Sequence, residues 1–312
     1  MQKVFVAGAT GVLGRRVVAG LVAAGLEVTG VARRPANHAD LAALGVRPVA
    51  LDLFDQAAVH AAVAGHAAVC NLATAIPVGD RANDPSAWEA TDRIRRVGAR
   101  NLVDAALAAG ASRYLQESIV FVYADGGERL LDESAEIKPA HVTSAALLAE
   151  AQAARFAEHG GAGVALRFGQ FYGFDSGHTV QAIDAALAGL PVELGAESAY
   201  RSSVTTDDAA SAVLAALNAP SGVYNVVDDR PLPRGEYVDA LADSLGVPTP
   251  IRRSVTPELP APFSVLLRSL RVSNQRLREI TGWQPAFPSA WEGWAAVIGD
   301  WRTHRGARAG LA

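Results

Sequence analysis

The chain has 312 residues, half of them hydrophobic and 19% charged, with a mean hydropathy slightly above zero, which excludes a disordered or low-complexity protein. Its net charge of −4 and isoelectric point near 6.0 lack the basic footprint that neutralises phosphates, which argues against a nucleic-acid partner. Of 28 cationic residues only Lys3 and Lys138 are lysine, leaving 26 arginines.

In chain order, short apolar runs alternate with longer amphipathic ones, the pattern of a parallel sheet wrapped by helices. Strands are predicted near Lys3–Ala7, Glu27–Ala32, Arg47–Leu51, Ala68–Leu72, Arg113–Glu117 and Gly163–Phe168. Helices are predicted near Leu13–Ala24, Gln56–Ala64, Trp88–Ala109 and Thr143–His159. The fold class is therefore α/β, a doubly wound parallel sheet of the Rossmann type. Beyond Arg167 the alternation gives way to Gly-, Pro- and Ser-rich segments, and four of the five tryptophans, Trp283, Trp291, Trp294 and Trp301, stand in the last thirty residues. These predict a dinucleotide-binding domain over residues 1–170. A smaller α+β cap holding the substrate is expected over 171–312, with the segments Asp207–Asn218 and Gly222–Val227 placed to return to the main sheet.

The single cysteine, Cys70, lies in the apolar run Ala67–Leu72 and reads as a buried small hydrophobe, which excludes an internal disulfide. The seven histidines show no metal-ligand spacing, so no metal is expected. No apolar run approaches the roughly 20 residues that span a bilayer, and no secretory signal precedes the first strand. The expectation is a cytoplasmic protein with no membrane partner.

The first strand runs straight into Gly8-Ala9-Thr10-Gly11-Val12-Leu13-Gly14 and then an amphipathic helix. Gly8 permits the tight turn, Gly11 lets the backbone approach a pyrophosphate, and Gly14 lets the helix pack close to the sheet. The helix N-terminus supplies unpaired N–H donors for the anion. An acid closing the second strand would accept hydrogen bonds from the ribose hydroxyls of NAD. Here Val31-Ala32 is followed by Arg33 and Arg34, and a guanidinium suits a 2′-phosphate. NADP(H) is favoured over NAD(H), with Arg33 the better contact and Arg34 the second. At least one of the two reads as an ordinary surface arginine.

These residues resemble the extended short-chain dehydrogenase/reductases, the NAD-dependent epimerase/dehydratase group, over nearly the whole chain. The resemblance is carried by Gly8–Gly14, Asp52-Leu53, Asn71-Leu72-Ala73-Thr74, Asn101–Ala106, Arg167–Gly173, Val204–Ala210, Gly222–Val226 and Gly282-Trp283-Gln284-Pro285. It implies that Gly8, Thr10, Gly11, Val12 and Leu13 line the phosphates and that Asp52 and Leu53 hold the adenine. Leu72, Ala73 and Thr74 run beside the ribose and nicotinamide. It also implies a structural Asp208, an Arg167 near the substrate cleft, and a homodimer through the helices at Trp88–Ala109 and Thr143–His159.

The family's tyrosine and lysine, spaced YxxxK, are missing. Registered on Ala149-Glu150, the tyrosine position falls on Val142 and the lysine position on Ala146, and neither lysine of the chain completes such a pair. The assisting serine is displaced too, since Val122-Tyr123 puts that position at Ile119, one residue beyond Ser118. A one-residue bulge would bring Ser118 into the site. Arg95 stands where the family has an asparagine. Replacement catalytic candidates are Ser118, Tyr123 and His141, the last suited to proton transfer near neutrality. His141 also reads as a loop residue before a helix capped by Thr143 or Ser144, and Asp132-Glu133 as a solvated turn. Gln170 and Tyr172 contact a ligand or merely pack.

The leading expectation is an NAD(P)-dependent oxidoreductase or epimerase-like enzyme acting on a small-molecule carbonyl or hydroxyl substrate with a non-standard proton donor. The alternatives are an NADP(H)-binding protein without turnover, and a non-redox isomerase or lyase using the same cleft.

Overall fold

A computed structural model of the protein describes residues 2–77, 79, 81, 84–193, 195–250 and 261–309. Strand β1 (Lys3–Ala7) sends Val4 and Val6 into one buried layer and Phe5 and Ala7 into the other, so every position after Lys3 is apolar. Helix α1 (Val12–Ala23) and β2 (Glu27–Val31) follow. Next come α2 (Pro35–Ala43), β3 (Arg47–Val49), α3 (Gln56–Val63) and β4 (Ala68–Asn71). Helix α2 was not anticipated: only Leu41 of its nine residues is buried, too few to give a helical period.

The expected continuous helix at Trp88–Ala109 is broken. Pro85–Trp88 is a 3-10 turn and Glu89–Arg93 forms α4. Ile94–Gly98 is a π-turn, and Ala99–Ala108 forms α5. Then come β5 (Arg113–Ile119), the two-residue β6 (Leu130–Leu131), α6 (His141–Glu158) and β7 (Ala162–Phe168). The α6 N-cap is Ala140 rather than Thr143 or Ser144. Thr143 sits inside the first turn, where its hydroxyl accepts a hydrogen bond from the Ala140 N–H at 2.9 Å.

The remaining elements are β8 (Gln170–Tyr172), α7 (Gly177–Leu187), β9 (Tyr200–Arg201), β10 (Ser203–Thr205) and α8 (Thr206–Ala216). They continue with β11 (Gly222–Val226), β12 (Leu232–Pro233), α9 (Arg234–Leu245), β13 (Arg271–Val272), α10 (Gln275–Thr281) and α11 (Ala290–Ala309). Seven parallel strands form one sheet in the order β11-β7-β5-β4-β1-β2-β3, the doubly wound arrangement. The order reverses beside β1, and the crevice at the carboxyl ends of β1 and β4 is the switch point where such sheets bind ligands.

Helices α1 and α8 cover one face of the sheet, and α3, α5 and α6 cover the other. Tyr172, Ile183, Tyr237, Leu241, Trp294 and Ile298 form a separate apolar cluster, with Trp291 and Trp301 at its margin. Trp283 joins the sheet-side core instead, where its indole N–H donates to the Ser211 hydroxyl at 2.8 Å. Among the described residues no helix is long and apolar enough to cross a membrane.

Candidate active site

The glycine turn is built as its spacing predicts. Gly8 has φ +84°, the left-handed region that favours glycine, and a Cβ there would stand 2.6 Å from the Leu72 carbonyl carbon. A Cβ on Gly14 would stand 2.0 Å from the Gly8 carbonyl oxygen, so α1 can approach β1 only with glycine at this place. Gly11 is the N-cap of α1, makes no side-chain cap, and is followed by no acid in the first turn. The first amides of α1, including those of Val12 and Leu13, are thus left for an outside anion, beside an exposed Thr10. These residues fit a dinucleotide: Gly8 and Gly14 have no room for side chains, and the backbone donors at the start of α1 are open beside the Thr10 hydroxyl.

The other expected nucleotide contacts surround this turn. Leu72 and Ala73 are buried directly against Gly8, and Thr74 is exposed next to them. Asp52 is exposed and accepts the Phe54 N–H at 2.9 Å, while Leu53 is buried and its carbonyl accepts from the Asn101 amide at 2.9 Å. Arg33 and Arg34 are exposed at the end of β2, Arg34 as the N-cap of α2. No carboxylate among the described residues pairs with either.

Beneath the switch point lies a second layer of charge. Val142, Ala146 and Glu150 recur every fourth residue along α6 and are all buried, so Val142 and Ala146 share a face with a carboxylate. The Glu150 carboxylate takes two hydrogen bonds from Arg167, from Nε at 2.8 Å and Nη2 at 2.7 Å, and a third from the Ser118 hydroxyl. Arg167 Nη1 donates to the Tyr123 hydroxyl at 2.9 Å, and that hydroxyl donates to Asn225 Oδ1 at 2.8 Å. Burial pushes the Tyr123 phenol up, against the pull of the Arg167 charge, while burial lowers Arg167 and the Glu150 carboxylate outweighs it, raising the guanidinium above its ordinary range.

Next to this network, Arg95 grips Glu117 with Nε at 2.9 Å and Nη2 at 3.1 Å. Arg95 is fully buried and its third nitrogen, Nη1, has no partner. It is carried by the π-turn, whose extra residue per turn re-aims the side chain toward β5.

The structure brings two of the three catalytic candidates together and leaves one outside. Ser118 and Tyr123 belong to one buried network, while His141 is exposed at the first position of α6. The bulge that would swing Ser118 outward is absent. Strand β5 pairs with β7 in unbroken register from Arg113↔Ala162 to Ile119↔Phe168, and the period of two turns Ser118 inward to α6. The expected solvated turn at Asp132-Glu133 is only half correct. Asp132 is exposed, but Glu133 is half-buried and accepts the Asn225 backbone N–H at 2.8 Å. Asp208 takes the Ala286 and Phe287 backbone N–H groups at 2.6 and 3.2 Å, a structural role.

The reading of the sequence missed Glu150 and Asn225 as site-forming residues. One signal was available: a carboxylate four residues beyond two apolar positions of a buried helical stripe requires a cation in the fold. Cys70 is fully buried, which pushes its thiol up to about 12 and leaves it inert. Among the described residues no group of His, Cys, Asp and Glu could hold a metal ion.

Comparison with known proteins agrees with this geometry. The model of the NAD dependent epimerase/dehydratase family matches residues 4–227. A 3-diazoavenalumate denitrifying reductase from a Streptomyces species is 35% identical over 302 residues, covering 92% of this chain and 97% of the relative. The UDP-glucose 4-epimerase of Thermotoga maritima superposes with a TM-score of 0.81 at 18% identity, over 97% of this chain and 99% of the epimerase. MoeE5, solved with UDP-glucose and NAD, superposes with a TM-score of 0.77 at 24% identity, over 98% and 99% of the two chains. The last two share the fold. The chain belongs to the NAD-dependent epimerase/dehydratase family, and it is an NAD(P)-dependent oxidoreductase or epimerase.

Proposed function

We propose that this protein is an NADPH-dependent reductase that replaces the dinitrogen of an aryl diazo compound by hydride. The observation that carries the reading is the bare stripe on α6, where Val142 and Ala146 leave no group able to give or take a proton at the positions that do so elsewhere in the family. Bound reduced nicotinamide supplies a hydride, and its transfer to a diazonium carbon balances without a proton, because N2 leaves and the positive charge passes to the nucleotide. A carbonyl reduction, by contrast, needs an acid at the oxygen.

The chain's own residues then hold and orient rather than donate. Gly8, Thr10, Gly11, Val12, Leu13 and Gly14 seat the phosphates. Asp52, Leu53, Leu72, Ala73 and Thr74 bound the nucleoside halves, and Arg33, with Arg34 beside it, meets the 2′-phosphate. The tethered Tyr123, Ser118 and Glu150 keep a fixed wall. The 35% identical reductase supports a diazo substrate, and the acid-free end of β2 supports NADPH.

The test is NADPH oxidation with release of N2 from an ortho-diazophenol, measured together with nucleotide affinity. Turnover that survives Ser118→Ala, Tyr123→Phe and His141→Ala within about threefold supports the reading. A loss of 10²–10⁴-fold in any of them assigns that residue as the proton donor and overturns it. Nucleotide binding with no turnover supports a binding protein instead. Arg33→Ala should weaken NADPH by roughly tenfold or more and leave NADH unchanged, as expected for loss of a charge-assisted hydrogen bond.

A further inference from the structure

A cavity of about 330 Å³ lies beyond the network, between β8, α7 and α11. Its walls include Phe171, Tyr172, Tyr237 and Trp294, and Gln170 and Arg201 give it polar lining. Asp175, in the segment entering α7, pairs with Arg15 at 3.2 Å and Arg16 at 3.0 Å, which holds this region against the helix that follows the glycine turn.

The charge around the cavity does not balance. Glu193 is shared by two guanidiniums, Arg201 Nη1 on one oxygen and Arg234 Nη1 at 3.0 Å on the other. Arg201 lines the cavity with its side chain nine-tenths buried, and its Nε–H has no hydrogen-bond partner. Its guanidinium also lies 4.4 Å from the centre of the Tyr237 ring. Burial lowers Arg201 to about 10, and the charge of Arg234 pushes the same way. The titratable groups facing it are Glu193, Arg234, Tyr237 and His178, and His178 is itself held below its ordinary range by burial and by Arg201. A desolvated positive charge with an unused donor, set among aromatic rings, calls for a monoanion attached to a flat apolar body.

We propose that this cavity is the substrate's anchoring pocket and takes an aryl carboxylate, the ring held against the half-buried Phe171 at the edge of the Tyr172, Tyr237 and Trp294 cluster and the carboxylate on Arg201. The substrate class so named rests on the reductase reading above. The volume sits at the small end of the roughly 300–1,000 Å³ span of ligand pockets, which suits one ring with a short acidic tail.

Calorimetric titration of the NADPH-loaded protein with 4-hydroxycinnamate, with its uncharged amide, and with UDP-glucose tests the assignment. The expected result is one acid bound per chain, an amide at least tenfold weaker, and no displacement by UDP-glucose. Arg201→Gln should abolish the difference between acid and amide. Ala182→Leu, which fills the cavity from α7 without touching the charges, should weaken both ligands. A melting scan checks that each variant is folded, and the Ala182 variant decides alone if Arg201→Gln is not. Equal binding of acid and amide, displacement by UDP-glucose, or full binding in the Ala182 variant would overturn the proposal. Acid binding without diazo turnover would leave the pocket standing and overturn the reductase reading, while turnover without any preference for acids would do the reverse.

Discussion

Arg95 is the residue whose chemistry departs furthest from its surroundings. A fully buried guanidinium is tolerated because Glu117 meets it with two parallel hydrogen bonds, and each charge is acceptable only while the other is present. Arg95→Met should therefore cost about 3–5 kcal/mol by leaving Glu117 uncompensated, and Arg95→Met combined with Glu117→Met should recover most of that loss. Urea unfolding of the single and double variants measures both; equal instability in the two would mean that the pair is not the source of the cost. Tyr123 is a phenol of a different kind from one that works as an acid. Burial holds its proton in place against the pull of Arg167, and its two hydrogen bonds suit it to fixing Arg167 and Asn225 rather than to exchange with a ligand.

At the scale of elements, the close contact between α1 and β1 makes a sharp test of the nucleotide cradle. A methyl on Gly14 would meet the Gly8 carbonyl oxygen, so Gly14→Ala should push α1 outward, lowering NADPH affinity by more than tenfold and reducing the melting temperature. Affinity and melting curves unchanged from the parent would show that the helix can yield. This half of the site was legible in the sequence because its information is local: glycine spacing, a strand before and a helix after. The other half was not. Arg95, Glu117, Glu150 and Arg167 come from the π-turn, β5, α6 and β7, and among 26 arginines no pattern marks which are buried. The helix around Arg95 was read as continuous because a π-turn leaves the apolar period nearly intact. Helix α2 went unread because one buried leucine carries no period at all.

For the whole molecule, the joint between the sheet and the C-terminal cluster contains a buried carboxyl. Asp228 is fully buried and accepts the Ser203 hydroxyl at 2.9 Å, while its Oδ1 has no partner. Burial raises it well above its ordinary value of 3.8, with the Ser203 bond pulling the other way. A raised acid contributes its full stability below the unfolded value and loses it as pH climbs toward the folded one, since the unfolded chain ionises first. Asp228→Asn removes that loss. It should raise the melting temperature at pH 8 and leave it nearly unchanged at pH 4; a variant that gains equally at both values would show that Asp228 does not titrate in this window. His66 acts in the opposite sense. It is buried with ring nitrogens on the Val63 carbonyl and the Thr29 hydroxyl, and burial lowers its pKa below 6.5. Its stabilising contribution is present above 6.5 and drains away as pH falls through that value toward the folded one.

The bare face of α6 also decides which reagents can poison this protein. With Ala146 on that face, and Lys3 at the start of β1 and the exposed Lys138 as the two lysines of the chain, reagents that form imines or acylate lysine should leave nucleotide binding intact. Dicarbonyl reagents selective for guanidinium should instead inactivate it, with NADPH protecting through the exposed Arg33. The protein would thus tolerate immobilisation through its two lysines with its chemistry intact.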